Sequence, residues 1–173
     1  MQAQLYSIQG LATGCVSIMA RPRGGDWLLD EIKALSVAGV DILVSLLTSS
    51  EIDELDLTEE AVFCQNQKVA YLSFPIFDRS VPPFSRDTFM LLEQLKEHLL
   101  EGKHIALHCR QGIGRAALMA ASLLVLSGFS PDQAFDLFSH VRGYPVPETE
   151  EQRAWVVAFY RYQRHGPDDI CFT

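Results

Sequence analysis

A chain of 173 residues that is 48% hydrophobic and 21% charged has the composition of one ordinary globular domain, large enough to bury a core. Its formal net charge of −8 and pI near 5.0 argue against holding nucleic acid or an anionic membrane through the overall field, and leave a local anion site open. The four cysteines, Cys15, Cys64, Cys109 and Cys171, have no metal-type spacing, so no metal or cofactor is expected and a reducing, cytoplasmic setting with free thiols fits.

The N-terminus, Met1-Gln2-Ala3-Gln4-Leu5-Tyr6-Ser7, has no basic segment followed by an apolar one, so no secretory signal is expected. Residues 4–9 and 14–20 read as two strands split by Gly10 and Gly14. Arg21-Pro22-Arg23-Gly24-Gly25 is a loop. Asp26 to Ala38 is a helix with Trp27, Leu28, Ile32 and Leu35 on one face, and Gly39 ends it. Asp41 to Leu47 is a buried strand, Ser50 to Leu55 a short helical turn, and Thr58 to Gln67 a helix that Thr58 can cap.

Val69 to Phe74 is the next strand, followed by a loop, Pro75 to Pro83, with three prolines. Ser85 caps a helix running to Glu101, which Gly102 stops. Lys103 to His108 is a strand. The apolar stretch Ala116 to Phe129 is too short to span a bilayer and reads as a buried helix ending near Leu126, so no membrane partner is expected. Ser130-Pro131 opens a helix that ends near Arg142-Gly143. The last helix runs from near Glu148 to about Arg164, and the tail from His165 reads as frayed.

The alternation predicts an α/β fold in which residues 1–173 form a single domain. Its sheet is central, mostly parallel and four- to five-stranded, with helices on its flanks. Ligands of such sheets sit beyond the carboxyl ends of the strands. Four loops should meet there: 21–25, 48–50, 75–83 and 109–115.

The last of these carries the strongest signal. His108-Cys109-Arg110-Gln111-Gly112-Ile113-Gly114-Arg115 joins the apolar run Ile105-Ala106-Leu107 to the buried helix. Glycines allow backbone N–H groups to turn inward, and the helix aims its positive end at the same point. The N–H groups of Arg110, Gln111, Gly112, Ile113, Gly114 and Arg115 can then cradle a phosphate, with Cys109 as thiolate nucleophile. Arg115 can grip two phosphate oxygens with its planar fork. A cation at a helix start opposes the macrodipole, so its placement favours a function. The stretch is no Walker motif, because no Gly-Lys-Ser/Thr follows, and Gly112-x-Gly114 is too short for a dinucleotide fingerprint.

His108-Cys109-x5-Arg115 resembles the signature of cysteine-dependent protein-tyrosine phosphatases. The compact size and the Gly-x-Gly-Arg ending are most similar to the dual-specificity branch, including small prokaryotic members. The resemblance implies that family's fold and a two-step reaction through a cysteinyl-phosphate. Catalytic residues would be Cys109, Arg115 and, as general acid, Asp78 in Phe74-Pro75-Ile76-Phe77-Asp78-Arg79. Asp87 belongs to the first turn of the next helix. Arg79 can touch substrate or form a surface ion pair. His108 would support the loop through hydrogen bonds.

Gln152, in Glu148-Thr149-Glu150-Glu151-Gln152, resembles a glutamine that positions water. Thr149-x-x-Gln152 equally matches a capping box. Glu148 stands where some relatives have another glutamine. Ala116 stands where many relatives carry a Ser or Thr whose hydroxyl helps the sulfur leave, which predicts slow hydrolysis of the cysteinyl-phosphate. Cys15 or Cys64 would form a reversible disulfide with Cys109, as in some relatives, only if they lie close. Arg21 and Arg23 are either substrate-recruiting cations or solvated loop charges.

The implied substrate is a phosphorylated protein or a small phosphoester. The alternatives are a phosphoprotein-binding module with weak catalysis and a rhodanese-like sulfurtransferase. The paired Asp78 loop and the Gly-Arg ending argue against the sulfurtransferase. Gln111 and Ile113, where lysines would suit polyanionic inositol lipids, argue mildly against those substrates.

Overall fold

The computed structural model describes residues 4–11 and 14–166. Its sheet has five strands in the order β1-β2-β5-β3-β4. They are β1 (Tyr6–Leu11), β2 (Gly14–Ala20), β3 (Ile42–Ser45), β4 (Ala70–Ser73) and β5 (His104–Cys109). Only β1 runs antiparallel to its neighbour; the other pairings are parallel. The four residues of β3 are all buried, as expected of a parallel strand covered on both faces.

Seven α-helices lie among the described residues: α1 (Leu28–Val37), α2 (Ser49–Glu54), α3 (Glu60–Asn66), α4 (Arg86–Leu100), α5 (Arg115–Leu126), α6 (Pro131–Arg142) and α7 (Glu150–His165). The side chains of β5 alternate between faces. Ile105, Leu107 and Cys109 join the core built with α4, α5, α6 and α7. Ala106 joins a second core, with Leu28, Ile32 and Leu35 of α1 and Cys64 of α3. Arg115 through Val125 are all buried, which explains why α5 is apolar on every side.

Several boundaries depart from expectation. β1 continues through Gly10 to Leu11 instead of breaking at Gly10. Residues Gly25–Trp27 form a 3-10 turn before α1. Thr58 does not cap α3: Glu59 holds the cap position without a side-chain bond, because a turn in which the Glu60 N–H donates to the Leu57 carbonyl precedes the helix. α7 starts at Glu150, where Thr149 caps it, and continues through His165. Residues 167–173 of the tail expected to fray, including Cys171, lie outside the described residues. No helix among the described residues is long and apolar enough to cross a membrane.

Register fixes where chemistry can gather. Cys109 pairs with Ala20 on β2, and His108 pairs with Ser45 on β3. The loops leaving β2, β3 and β5 therefore emerge side by side at the carboxyl edge.

Candidate active site

β5 delivers Cys109 to the sheet edge, and α5 begins at Arg115. The intervening loop turns through Gly112 at φ +74, a conformation that L side chains rarely adopt. A Cβ there would also lie 2.5 Å from the Met19 carbonyl group, so the loop can sit this close to β2 only with glycine. The Gly112 N–H donates to Cys109 Sγ at 3.3 Å, and Cys109 is 3% exposed. The sulfur thus sits in the floor of a cavity lined by Asp78, Cys109, Arg110, Gln111, Ile113, Gly114, Arg115 and Glu148.

Arg115 is 1% exposed and heavily engaged. Nη1 donates to Glu51 Oε2 at 2.8 Å and to the Ile76 carbonyl at 2.8 Å; Nη2 donates to Glu51 Oε1 at 2.9 Å and to Asp78 Oδ1 at 2.8 Å. Glu51 therefore holds the guanidinium by two parallel bonds, the geometry that fixes a planar fork most firmly. Sequence reasoning missed Glu51. It belongs to α2, whose cap Thr48 accepts from the Glu51 N–H while Glu51 Oε2 accepts from the Thr48 N–H. Burial alone would raise the Glu51 carboxyl, but the bonds from Arg115 and Thr48 outweigh it and hold the group down at about 2.

The expected site residues fall into two groups. Cys109, Asp78, Arg115 and the loop 110–114 share one cavity. Arg110 also binds sideways: its guanidinium reaches Glu54 at 3.0 Å and Glu51 at 3.4 Å, which turns its side chain towards α2. His108 points to the opposite face of the sheet. Its Nε2 lies 3.0 Å from Glu60 Oε1, both side chains buried, close enough for an ion pair but poorly aligned for a hydrogen bond. Burial and then the same Glu60 carboxylate push the nearby Tyr71 phenol up.

Gln152 is fully buried and does not line the cavity. Its Oε1 accepts from the Thr149 N–H at 3.1 Å and its Nε2 donates to the Ser80 carbonyl at 3.2 Å. Together with the Gln152 N–H on Thr149 Oγ1, these bonds complete a capping box and tie α7 to the loop bearing Asp78. Arg79 forms an ion pair with Glu148 at 2.6 Å. Arg23 pairs with the buried Glu31 at 2.7 Å and covers the Trp27 ring. Arg21 donates to the Pro22 carbonyl, and its own N–H reaches the Arg110 carbonyl at 3.4 Å.

A disulfide to Cys109 from either described candidate is opposed by position. Cys64 packs in the core on the other face of the sheet, and burial followed by Glu60 pushes its thiol up to about 12. Cys15 pairs with His104, at the far end of β5 from Cys109, and burial raises its thiol too. No group of three or more potential metal ligands occurs among the described residues.

Residues 8–161 match the family described as "Swiss Army Knife protein, DSP-PTPase phosphatase domain". The chain belongs to this family. It is a small, dual-specificity-like member of the cysteine-dependent protein-tyrosine phosphatase superfamily. Cyclin-dependent kinase inhibitor 3 of Rattus norvegicus is 25% identical over 131 residues, covering 75% of this chain and 61% of that protein. Putative tyrosine phosphatase 197R of Invertebrate iridescent virus 6 is 28% identical over 115 residues, 64% of this chain and 41% of that protein. The chain thus spans less than two thirds of the length of these relatives. Among solved structures, kinase associated phosphatase with serine at its catalytic-site cysteine superposes with a TM-score of 0.84 at 20% identity, covering 94% of this chain and 96% of that one. That likeness establishes the shared phosphatase fold.

Proposed function

We propose that this phosphatase hydrolyses phosphomonoesters on phosphorylated protein side chains, tyrosine or serine/threonine, through a cysteinyl-phosphate on Cys109. The observation that supports the reading is one cavity lined by a thiol, a guanidinium and a carboxyl group: Cys109, Arg115 and Asp78. The Cys109 thiolate attacks phosphorus while Arg115 and the loop N–H groups hold the phosphoryl oxygens. The ester oxygen leaves with the bond's electron pair and takes a proton from Asp78. Water then attacks phosphorus, the S–P bond breaks, and its electrons return to sulfur. The names of the relatives, a cyclin-dependent kinase inhibitor and a tyrosine phosphatase, favour a phosphoprotein substrate over a small phosphoester or a purely binding role.

Acid quenching during turnover of an aryl phosphate tests the chemistry. The expected result is one phosphate per chain on Cys109, located by mass spectrometry and lost when vanadate is present. A chain that releases phosphate without ever labelling Cys109 would overturn the reading.

Ala116 follows the arginine, is fully buried, and offers no hydroxyl to the departing sulfur. A burst of aryl alcohol followed by slow turnover is therefore expected. Ala116→Ser should raise the steady rate about 2- to 10-fold, the worth of one hydrogen bond to the leaving thiolate. No burst, and no gain from the serine, would remove this role from position 116.

A further inference from the structure

A groove of about 780 Å³ lies in the seam between α4 and α7 and shares no lining residue with the cavity that holds Cys109. That volume falls within the range of about 300–1,000 Å³ usual for binding sites. Both helices pack on α5, and aromatic rings form the floor between them. Phe84 meets Phe89 edge-on with 4.8 Å between ring centroids, and Phe89 lies 4.8 Å from Tyr162. Trp155 backs Phe84 at 5.5 Å and Phe159 backs Phe89 at 5.3 Å, so the floor is apolar and held in place. The run Phe89-Met90-Leu91-Leu92 explains why it stays open. α4 buries Thr88, Leu92, Leu95 and Leu99 along one stripe at helical spacing. Four consecutive apolar residues cannot all lie on that stripe, and Met90 is left 58% exposed at the groove. Its flexible thioether suits contact with an irregular apolar surface.

We infer that this seam docks a basic amphipathic helix of a protein partner. Glu93 and Glu97 stand one turn apart at its edge, while Arg86 lies about 16 Å away along α4. Lys96 reaches Glu93 at 3.7 Å, but an exposed pair of that kind neutralises little. A partner helix lays its apolar residues at i, i+3, i+4 and i+7 on the aromatic floor, and lysines or arginines flanking that stripe meet the two carboxylates. The same charges disfavour two other occupants. A second copy of this chain brings a net charge of −8 to the seam. Residues 167–173, which follow α7 in the chain, bring Asp168 and Asp169.

Fluorescence anisotropy of the full chain with two labelled helical peptides, each about four turns long, tests the site. Both peptides carry leucines at i, i+3, i+4 and i+7; lysines flank the stripe in one and glutamates in the other. The lysine peptide is expected to bind about tenfold more tightly or better. Glu93→Lys with Glu97→Lys should reverse that preference. Asp53→Lys with Asp136→Lys makes an equal charge change at exposed positions that do not line the groove, and should keep it. Met90→Glu adds a negative charge, yet should weaken the lysine peptide about tenfold because a carboxylate spoils the apolar floor. Aryl phosphate turnover should stay at the wild-type rate in all of these variants, so the outcome is independent of the proposed reaction. Equal binding of the two peptides, or a preference lost equally in the Asp53 and Asp136 variant, would overturn the inference. So would tighter lysine-peptide binding in Met90→Glu, the mark of attraction by net charge alone. A concentration-dependent dimer in sedimentation that Met90→Glu dissolves would give the seam to a second copy instead. Tenfold tighter peptide binding in Phe172→Ser would give it to the chain's own carboxyl end.

Discussion

Glu51→Ala is expected to be among the most damaging single substitutions outside the catalytic loop. Arg115 is 1% exposed and both of its terminal nitrogens rest on Glu51. Removing the carboxylate strands a buried guanidinium, which costs about 3–5 kcal/mol in comparable pairs. Asp78 and the Ile76 carbonyl still accept from Arg115, so the lower end of that range is expected in chemical denaturation. Phosphatase kcat/KM should fall by about a hundredfold, since a guanidinium free to tilt no longer meets the phosphoryl oxygens squarely.

The pH dependence has a definite sign. Glu51 is held at about 2 in the folded chain, below the ordinary carboxyl value of 4.5. Its contribution is therefore complete above pH 4.5 and disappears as the pH falls towards 2. Glu51→Gln should be less stable than wild type at neutral pH, and the two stabilities should converge on acidification through that window. A gap that stays constant between neutral pH and pH 2 would show that Glu51 acts through shape alone.

Why Glu51 escaped sequence reasoning is instructive. Thr48-Ser49-Ser50-Glu51 has the pattern of a capping box, and a capping box needs only one carboxylate oxygen and no distant partner. Nothing local announces a guanidinium 64 residues further on. That Cys109 and Arg115 meet was legible because both stand in one continuous loop between a strand and a helix. That Asp78 joins them was legible because the loops after parallel strands gather at one edge. Gln152 went the other way. Its resemblance pointed to catalysis and its local pattern to a cap, and it forms the cap. The element order and the mostly parallel sheet were readable from the alternating pattern. The central place of β5 between β2 and β3 was not, because adjacency in a sheet is set by packing across both faces rather than by order along the chain.

Asp78→Asn is expected to slow the enzyme in proportion to how badly the leaving group needs a proton. The loss should be about 10²- to 10⁴-fold for phosphotyrosine or phosphoserine peptides and small for a nitrophenyl ester whose oxygen leaves unaided. The same substitution should act on binding in the opposite sense. Asp78 Oδ1 occupies an Arg115 N–H at 2.8 Å, one of the donors of the proposed phosphoryl site. A neutral amide competes for that donor more weakly than a carboxylate, so inorganic phosphate or vanadate should inhibit Asp78→Asn at lower concentration than wild type. For Asp78 to serve as the proposed acid its carboxylate must leave Arg115, and the loop that carries it is restrained by Gln152 on the Ser80 carbonyl and Glu148 on Arg79. Equal rate losses across leaving groups would take Asp78 out of the acid role. Unchanged anion inhibition would show that its contact with Arg115 does not compete with the substrate phosphate.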